Sequence, residues 1–378
     1  MIFDPWTLTW LAALLALLGL IWAAYRLPPD LQLSREVPPA GFVGRQLPYR
    51  VTARLRSRLP TRYVIEDAPP LRIIPDRHLR WGGWLWQSGE AQLSDELNLN
   101  TRGEYHWPET VLRWADPFGL FWRSTRLRFP TRLEVYPGVH GLRLPDLLRP
   151  LLSEGALSRT LGLDDPLSLR GARPYVPGDP PGRIHWRLSA RTGELTVREL
   201  ERTASSRLLL YLDSRGDEVF IESAVRLAAS LIQEALKLDL PVSLSTPGGA
   251  TPSGRTPQAL RAALSRLATL QCRPASDPLP NLAADISLQA AGSNLIMLTQ
   301  RAPADVLGAA LRARTRAKRV VIVAMPEGFY LEPGESPRRQ WAGLPDSVRE
   351  LEKKAGVLAD AGVLVFVLRG NQSVLRLA

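Results

Sequence analysis

The feature that most constrains this chain is a long stretch without a charge. From Trp6 to Tyr25 the sequence WTLTWLAALLALLGLIWAAY runs 20 residues with no Asp, Glu, Lys or Arg. About 20 apolar residues in a helix are what the hydrocarbon core of a bilayer requires. Each of its seven leucines favours insertion by roughly 0.3–0.6 kcal/mol. Trp6, Trp10, Trp22 and Tyr25 lie towards the two ends, where amphipathic rings favour the headgroup region. A cleaved signal peptide would need a basic leader, a shorter apolar core and a small-x-small site. The leader MIFD has no Lys or Arg, and no such site follows. The expectation is a membrane anchor over residues 1–29 that meets the lipid bilayer through residues 6–25.

Flanking charge orients the span. Asp4 precedes it, whereas Arg26, Arg35, Arg45, Arg50, Arg54, Arg56 and Arg58 follow, so the positive-inside rule places the rest of the chain in the cytoplasm. That predicts a single-pass protein of the cell (inner) membrane. The lone cysteine, Cys272, allows no internal disulfide and agrees with a reducing compartment.

Two hydrophobic periods divide the remainder. Over residues 30–140 short apolar runs alternate with polar residues and are broken by Pro, Gly and Asn. In PYRVTARLRS, Tyr49, Val51, Ala53 and Leu55 share one face and Arg50, Thr52, Arg54 and Arg56 the other, which is strand periodicity. TRLEVYP at 131–137 behaves alike. Such strands predict a small β-sandwich, with Trp81, Trp84 and Trp86 as core or sheet-edge packing. Over 206–378 the runs are continuous: RLLLYLD, LPVSLS, NLIMLT, RVVIVAM and GVLVFVLR. Amphipathic stretches separate them, the first with Ile221, Ala224, Val225, Ala228, Leu231, Ala235 and Leu238 on one stripe. Buried strands alternating with such helices predict a parallel α/β sheet.

Catalytic chemistry is hard to place. The four histidines, His78, His106, His140 and His185, lie in no GxSxG or Cys/His context, so a nucleophile lacks a base. No Cys/His cluster suits zinc. Gly249 to Thr256 imitates a phosphate loop, but Arg255 stands where the lysine belongs; Thr256 is better placed as a helix N-cap. Asp213 and Asp217 sit beyond the first α/β strand, at the sheet end where ligands bind. They could offer oxygens to a hard cation, or simply feed the following helix, with Asp217 near its positive end. The reading is therefore no enzyme, no cofactor and no metal.

Residues 141–205 hold the most distinctive sequence, LRGARPYVPGDPPGRIHWRLSARTGELTVRELE from Leu169. Val176 to Asp179 fits a type II turn with Pro177 and Gly178 at its centre. Arg183 to Arg187 reads as a strand, Arg183, His185 and Arg187 on one face and Ile184, Trp186 and Leu188 on the other, which makes Trp186 a core residue. Thr192-Gly193 marks another turn. A net charge of +11 favours acidic partners. Nucleic acid is disfavoured, because no recognised nucleic-acid fold surrounds the arginines.

Arg173 to Asp179 followed by Ile184 to Leu195 resembles the signature of the family catalogued as domain of unknown function 58. Arg102-Gly103-x-Tyr105, Asp116 to Phe121 and Val135-Tyr136-Pro137 resemble earlier motifs of that family. The resemblance implies a bacterial membrane protein with a von Willebrand factor A-like domain over 206–378. It also implies partnership with a MoxR-type AAA+ ATPase and, in some cases, a transglutaminase-like membrane protein. Its metal site would need serines where Arg215 and Asp217 stand here, so the loop at Asp213, Arg215 and Asp217 reads as degenerate. Arg173, Tyr175, Pro177, Gly178, Asp179, Arg183, Trp186, Arg187, Ser189, Arg191 and Gly193 are the signature residues, partner-binding or structural. The expected function is a membrane-anchored scaffold or adaptor. The alternative is a basic protein that binds nucleic acid or anionic lipid at the membrane surface.

Overall fold

In the computed structural model the described residues are 5–67, 69–70, 79–139, 164–176, 184–202, 207–326, 346–368 and 374–377. They fall into two units, Met1–Gly138 and Val139–Ala378.

The first unit opens with helix α1 (Pro5–Ala24). Its Leu- and Ala-rich sequence favours helix, and Pro5 suits a first turn that has no donor to lose. From Trp6 to Ala24 its mean hydropathy is 2.0 and none of it is buried, so it is long and apolar enough to cross a membrane.

Eight strands follow: β1 (Asp30–Glu36), β2 (Ala40–Phe42), β3 (Gln46–Arg56), β4 (Thr61–Asp67), β5 (Leu79–Leu85), β6 (Ser88–Asn98), β7 (Gly103–Ala115) and β8 (Arg123–Tyr136). They make one sheet in the order β1-β3-β6 and another in the order β2-β8-β7-β4-β5. Tyr49, Val51 and Leu97 of the first sheet share a core with Trp107, Leu133 and Val135 of the second. The face read from the alternation in β3, Tyr49 to Leu55, is the buried one. Within this core Arg35 and Asp67 form a fully buried ion pair, joined by the Tyr49 and Thr110 hydroxyls. Burial pushes the Arg35 guanidinium below its usual pKa, and Asp67 opposes the shift. Trp81 packs against the core. Trp84 and Trp86, expected to pack as well, are instead 53% and 71% exposed. They flank the tight turn into β6, where Gln87 takes a positive φ of 69°.

The second unit begins with an antiparallel pair, β9 (Asp164–Pro174) and β10 (Thr196–Arg202), with helix α2 (Trp186–Thr192) between them in sequence. Next come β11 (Arg207–Leu212), α3 (Glu218–Lys237), β12 (Val242–Thr246), β13 (Gly249–Ala250), α4 (Pro257–Thr269), α5 (Leu282–Gln289), β14 (Ser293–Thr299), α6 (Ala304–Arg314), β15 (Arg319–Ala324), α7 (Asp346–Asp360), β16 (Val363–Leu368) and β17 (Val374–Leu377). The sheet runs β13-β12-β11-β14-β15-β16-β17. Its five inner strands are parallel, and the short outer strands β13 and β17 are antiparallel. The five apolar runs in the sequence are those five inner strands. Chain order reverses between β11 and β14, which makes the space beyond their carboxyl ends the sheet's switch point.

Candidate functional site

Two loops and the start of a helix meet at that switch point. Asp213, Ser214 and Arg215 leave β11, Thr299 and Gln300 leave β14, and Asp305 lies in the first turn of α6. Arg215 folds back rather than out. Its Nε and Nη2 donate to the two oxygens of Asp213 at 2.9 and 3.0 Å. Its Nη1 donates to Asp305 Oδ2 at 2.6 Å and to the Asp277 carbonyl at 3.3 Å. A planar guanidinium matches a carboxylate through two parallel bonds, and here it takes a second carboxylate on its other edge. Thr299 Oγ1 adds a bond to Asp213 Oδ2 at 3.3 Å. The Arg215 and Asp213 side chains are only 6% and 1% exposed. Burial alone would lower the pKa of Arg215, but its hydrogen bonds to Asp213 and Asp305 more than offset this and hold it above its usual value.

Asp213 and Asp217 do not converge on a shared cation position. Asp217 turns away to cap α3, accepting from Phe220 N at 2.6 Å, and takes Gln300 Nε2 at 2.7 Å. This is the helix-capping role that its sequence position allowed. Among the described residues no group of three or more His, Cys, Asp or Glu side chains stands close enough to hold a metal. The second carboxylate of the cluster comes from Asp305, which the sequence reading missed. Its signal was an acidic residue in the first turn of the helix after β14.

Beside the cluster opens a cleft of about 390 Å³, lined by Ser214, Thr246, Gly248, Arg266, Cys272 and Arg273 among others. Arg266 Nε bonds Thr246 Oγ1 at 3.1 Å, and Arg273 pairs with Asp277 at 2.8 Å. Ser214 is buried, and its Oγ has no hydrogen-bond partner. A basic, polar-lined cleft with an unspent hydroxyl suits a carboxylate or another oxyanion. Burial, with Asp217 and Glu218 nearby, pushes the Cys272 thiol above its usual pKa, so this cysteine is a poor nucleophile. The glycine run after β12 forms no phosphate cradle. The Gly254 N–H is spent on the Val242 carbonyl at 3.1 Å, and Thr256 caps α4 by accepting from Ala259 N.

The signature segment divides by role. Tyr175 N bonds the Leu195 carbonyl, and His185 N the Thr196 carbonyl, both at 2.8 Å. Ile184 pairs with Val197 as an isolated bridge, and both are buried. The strand expected over 183–187 ends at that bridge. From Trp186 the chain is helical, with His185 as N-cap through Nδ1 and Gly193 at φ 77° as C-cap. Side chain-to-backbone capping decides the matter against an alternation only five residues long. Ser189 Oγ accepts from Thr196 N at 2.8 Å and fastens α2 to β10. Trp186, expected in the core, is 64% exposed. Arg187 and Arg191 are exposed one turn apart. Arg173 and Tyr175 are half-buried on the hairpin. Pro177, Gly178, Asp179 and Arg183 lie outside the described residues.

Residues 171–304 match the family described as "Protein of unknown function DUF58". That stretch of the chain is a DUF58 domain. The match begins inside β9 and takes in α2, β10 and the sheet as far as the first residue of α6, so the DUF58 region holds most of the Arg215 cluster and its cleft. The motifs read at 102–105, 116–121 and 135–137 lie outside the matched residues. A curated relative, the "Uncharacterized protein YeaD" of Bacillus subtilis (strain 168), is 28% identical over 266 residues. That alignment covers 67% of this chain and 65% of the relative, slightly under two thirds of its length. Among solved structures, the CARDB domain of the PF1109 protein from Pyrococcus furiosus shares 14% identity over 28% of this chain and 88% of its own, with a TM-score of 0.19. A beta-glucosidase from Listeria innocua shares 15% over 29% and 16%, with a TM-score of 0.18. Similarity at that level bears on neither fold nor activity.

Proposed function

We propose that this DUF58 protein is a membrane-anchored adaptor whose second unit is a von Willebrand factor A-like binding module with an arginine in place of the metal. The observation that carries the proposal is the Arg215 guanidinium held by Asp213 and Asp305 at the switch point. The position where such a sheet binds its ligand already contains a fixed cation. The same loops leave an arginine-lined cleft beside it. In this reading an acidic side chain of a partner enters the cleft, and Trp186, Arg187 and Arg191 on α2 supply a second contact. Exposed tryptophan and arginine are the residue types that dominate binding energy at interfaces. The partner implied by the family resemblance is a MoxR-type AAA+ ATPase, which would supply the nucleotide chemistry. A transglutaminase-like membrane protein is the second candidate. In this reading both soluble units lie on the cytoplasmic side of the inner membrane.

The test is co-purification of the detergent-solubilised full chain with each MoxR-type ATPase of the same cell, with and without nucleotide. Binding is expected, and Trp186→Ala and Arg266→Gln should each weaken it while leaving the melting temperature unchanged. Failure to bind any such ATPase in either state would overturn the ATPase reading. Binding to DNA that falls steeply with salt would favour the nucleic-acid alternative.

A further inference from the structure

The exposed apolar side chains of the sandwich are not scattered. Among its described residues the large ones are Leu59, Trp84, Trp86, Phe118, Leu120 and Trp122. All six lie at or beside the β3–β4, β5–β6 and β7–β8 turns. Strand register puts those three turns at one end: Thr61 pairs with Leu85, Arg62 with Ala115, and Arg56 with Ser88. Among the described residues, the opposite end, with the turns near Pro38 and Asn100, carries no such exposed side chain.

The apolar end is also where α1 arrives. Trp114 Nε1 donates to the Tyr25 carbonyl at 3.0 Å, and the Tyr25 hydroxyl to the Pro60 carbonyl at 2.7 Å. Arg123 Nη2 donates to the Trp22 carbonyl at 3.2 Å, and its guanidinium lies 4.8 Å from the Trp22 ring. A helix leaving the bilayer therefore delivers this end of the sandwich to the membrane surface within a turn of its last residue. The β7–β8 turn is built to project. Asp116, fully buried, accepts from Phe118 N at 2.9 Å and Phe121 N at 2.7 Å. That clamp leaves Phe118 and Leu120 pointing outwards, 76% and 56% exposed. Basic groups are interleaved: Arg62 stacks over Trp84 at 5.3 Å and Arg113 over Trp122 at 5.8 Å, with Arg58 exposed beside Leu59.

We propose that this end of the sandwich is a membrane-binding surface, seating its aromatic turns among the headgroups and its arginines against anionic lipid phosphates. Amphipathic rings favour that depth, and a basic residue near an anionic leaflet is attracted to it within a Debye length. The first unit then lies on the bilayer instead of swinging from the anchor. The inference rests on α1 spanning the membrane, so the experiment separates the two.

Full-length protein carrying Cys272→Ser receives one new cysteine for a fluorophore, either Phe118→Cys or, at the far end, Asn100→Cys. It is reconstituted into phosphatidylcholine vesicles with and without phosphatidylglycerol. Resistance to alkaline carbonate extraction reports the span, and quenching by iodide reports the surface. The expected result is integrated protein whose label at 118 is severalfold less accessible than at 100. Phosphatidylglycerol should deepen the shielding, and Arg58→Gln with Arg62→Gln should remove that gain. Extraction by carbonate would remove the anchor and the inference together. Integrated protein with equal quenching at 118 and 100 would overturn the surface alone, as would shielding at 118 that appears only when a second protein is added.

Discussion

Arg215→Ala tests the centre of the second unit. The substitution removes a guanidinium that is 6% exposed and leaves Asp213, 1% exposed, without its bidentate partner. The Thr299 hydroxyl and the backbone N–H of residue 215 would remain as neutral donors to that carboxylate. Removing one partner from a buried pair costs about 3–5 kcal/mol, because the remaining charge is stranded. Asp305→Ala breaks the other arm, where the carboxylate is 35% exposed, and should cost only about 1 kcal/mol. Amide hydrogen exchange of the full chain, read on peptides from β11 and β14, measures the opening directly. At about 1.4 kcal/mol per factor of ten, Arg215→Ala should accelerate exchange there by two to three and a half orders of magnitude. Asp305→Ala should change it about tenfold or less. In Arg215→Ser the freed carboxylates of Asp213 and Asp305 and the Thr299 hydroxyl offer oxygen donors of the kind Mg²⁺ accepts. Added Mg²⁺ should therefore restore part of the protection in that variant and none in the parent. Equal effects of Arg215→Ala and Asp305→Ala, or protection of the parent by Mg²⁺, would refute the reasoning.

Gly216→Ala should destabilise the same loop, since at φ 156° a Cβ would sit 2.5 Å from Gln300 Oε1 and 2.7 Å from Phe220 Cδ1; crowding of this kind costs roughly 1–3 kcal/mol, readable in the same exchange experiment. Cys272, though exposed, has its thiol pKa raised by burial and by Asp217 and Glu218, so its alkylation at pH 8 should be slower than that of an unhindered thiol and rise at higher pH. Asp217→Asn should speed it by removing one negative charge, and an unchanged rate would count against that cause. Asp67→Ala in the sandwich should cost about 3–5 kcal/mol, because it strands the fully buried Arg35, and a thermal melt of the first unit checks it. A reporter fused after Ala378 should be cytoplasmic, and digestion of the tail by protease in outer-permeabilised cells would reverse the orientation.

Much of this was written in local pattern. Composition alone marks α1, since a charge-free, Leu- and Ala-rich run of that length makes a helix long and apolar enough to cross a membrane. The alternation in β3 and the five apolar runs after Arg207 foretold which side chains would be buried, because period and burial are set by backbone geometry whatever the neighbours. Thr256 and Asp217 announced themselves as caps for the same reason. What the sequence could not settle was decided by residues distant in the chain. Asp213 and Asp305 stand 92 positions apart and meet only because chain order reverses between β11 and β14. Their shared partner then turns a loop that resembles a cation site into an internal ion pair. Arg183 to Leu188 has the alternation of a strand, yet the His185 cap and the Ser189 bond to β10 wind the chain into a helix from Trp186 and leave that side chain exposed. Trp84 and Trp86 look like ordinary core or sheet-edge aromatics in sequence. Only strand register gathers them at the end where α1 arrives, since burial follows from which turns share an end of the sandwich and not from the residue type.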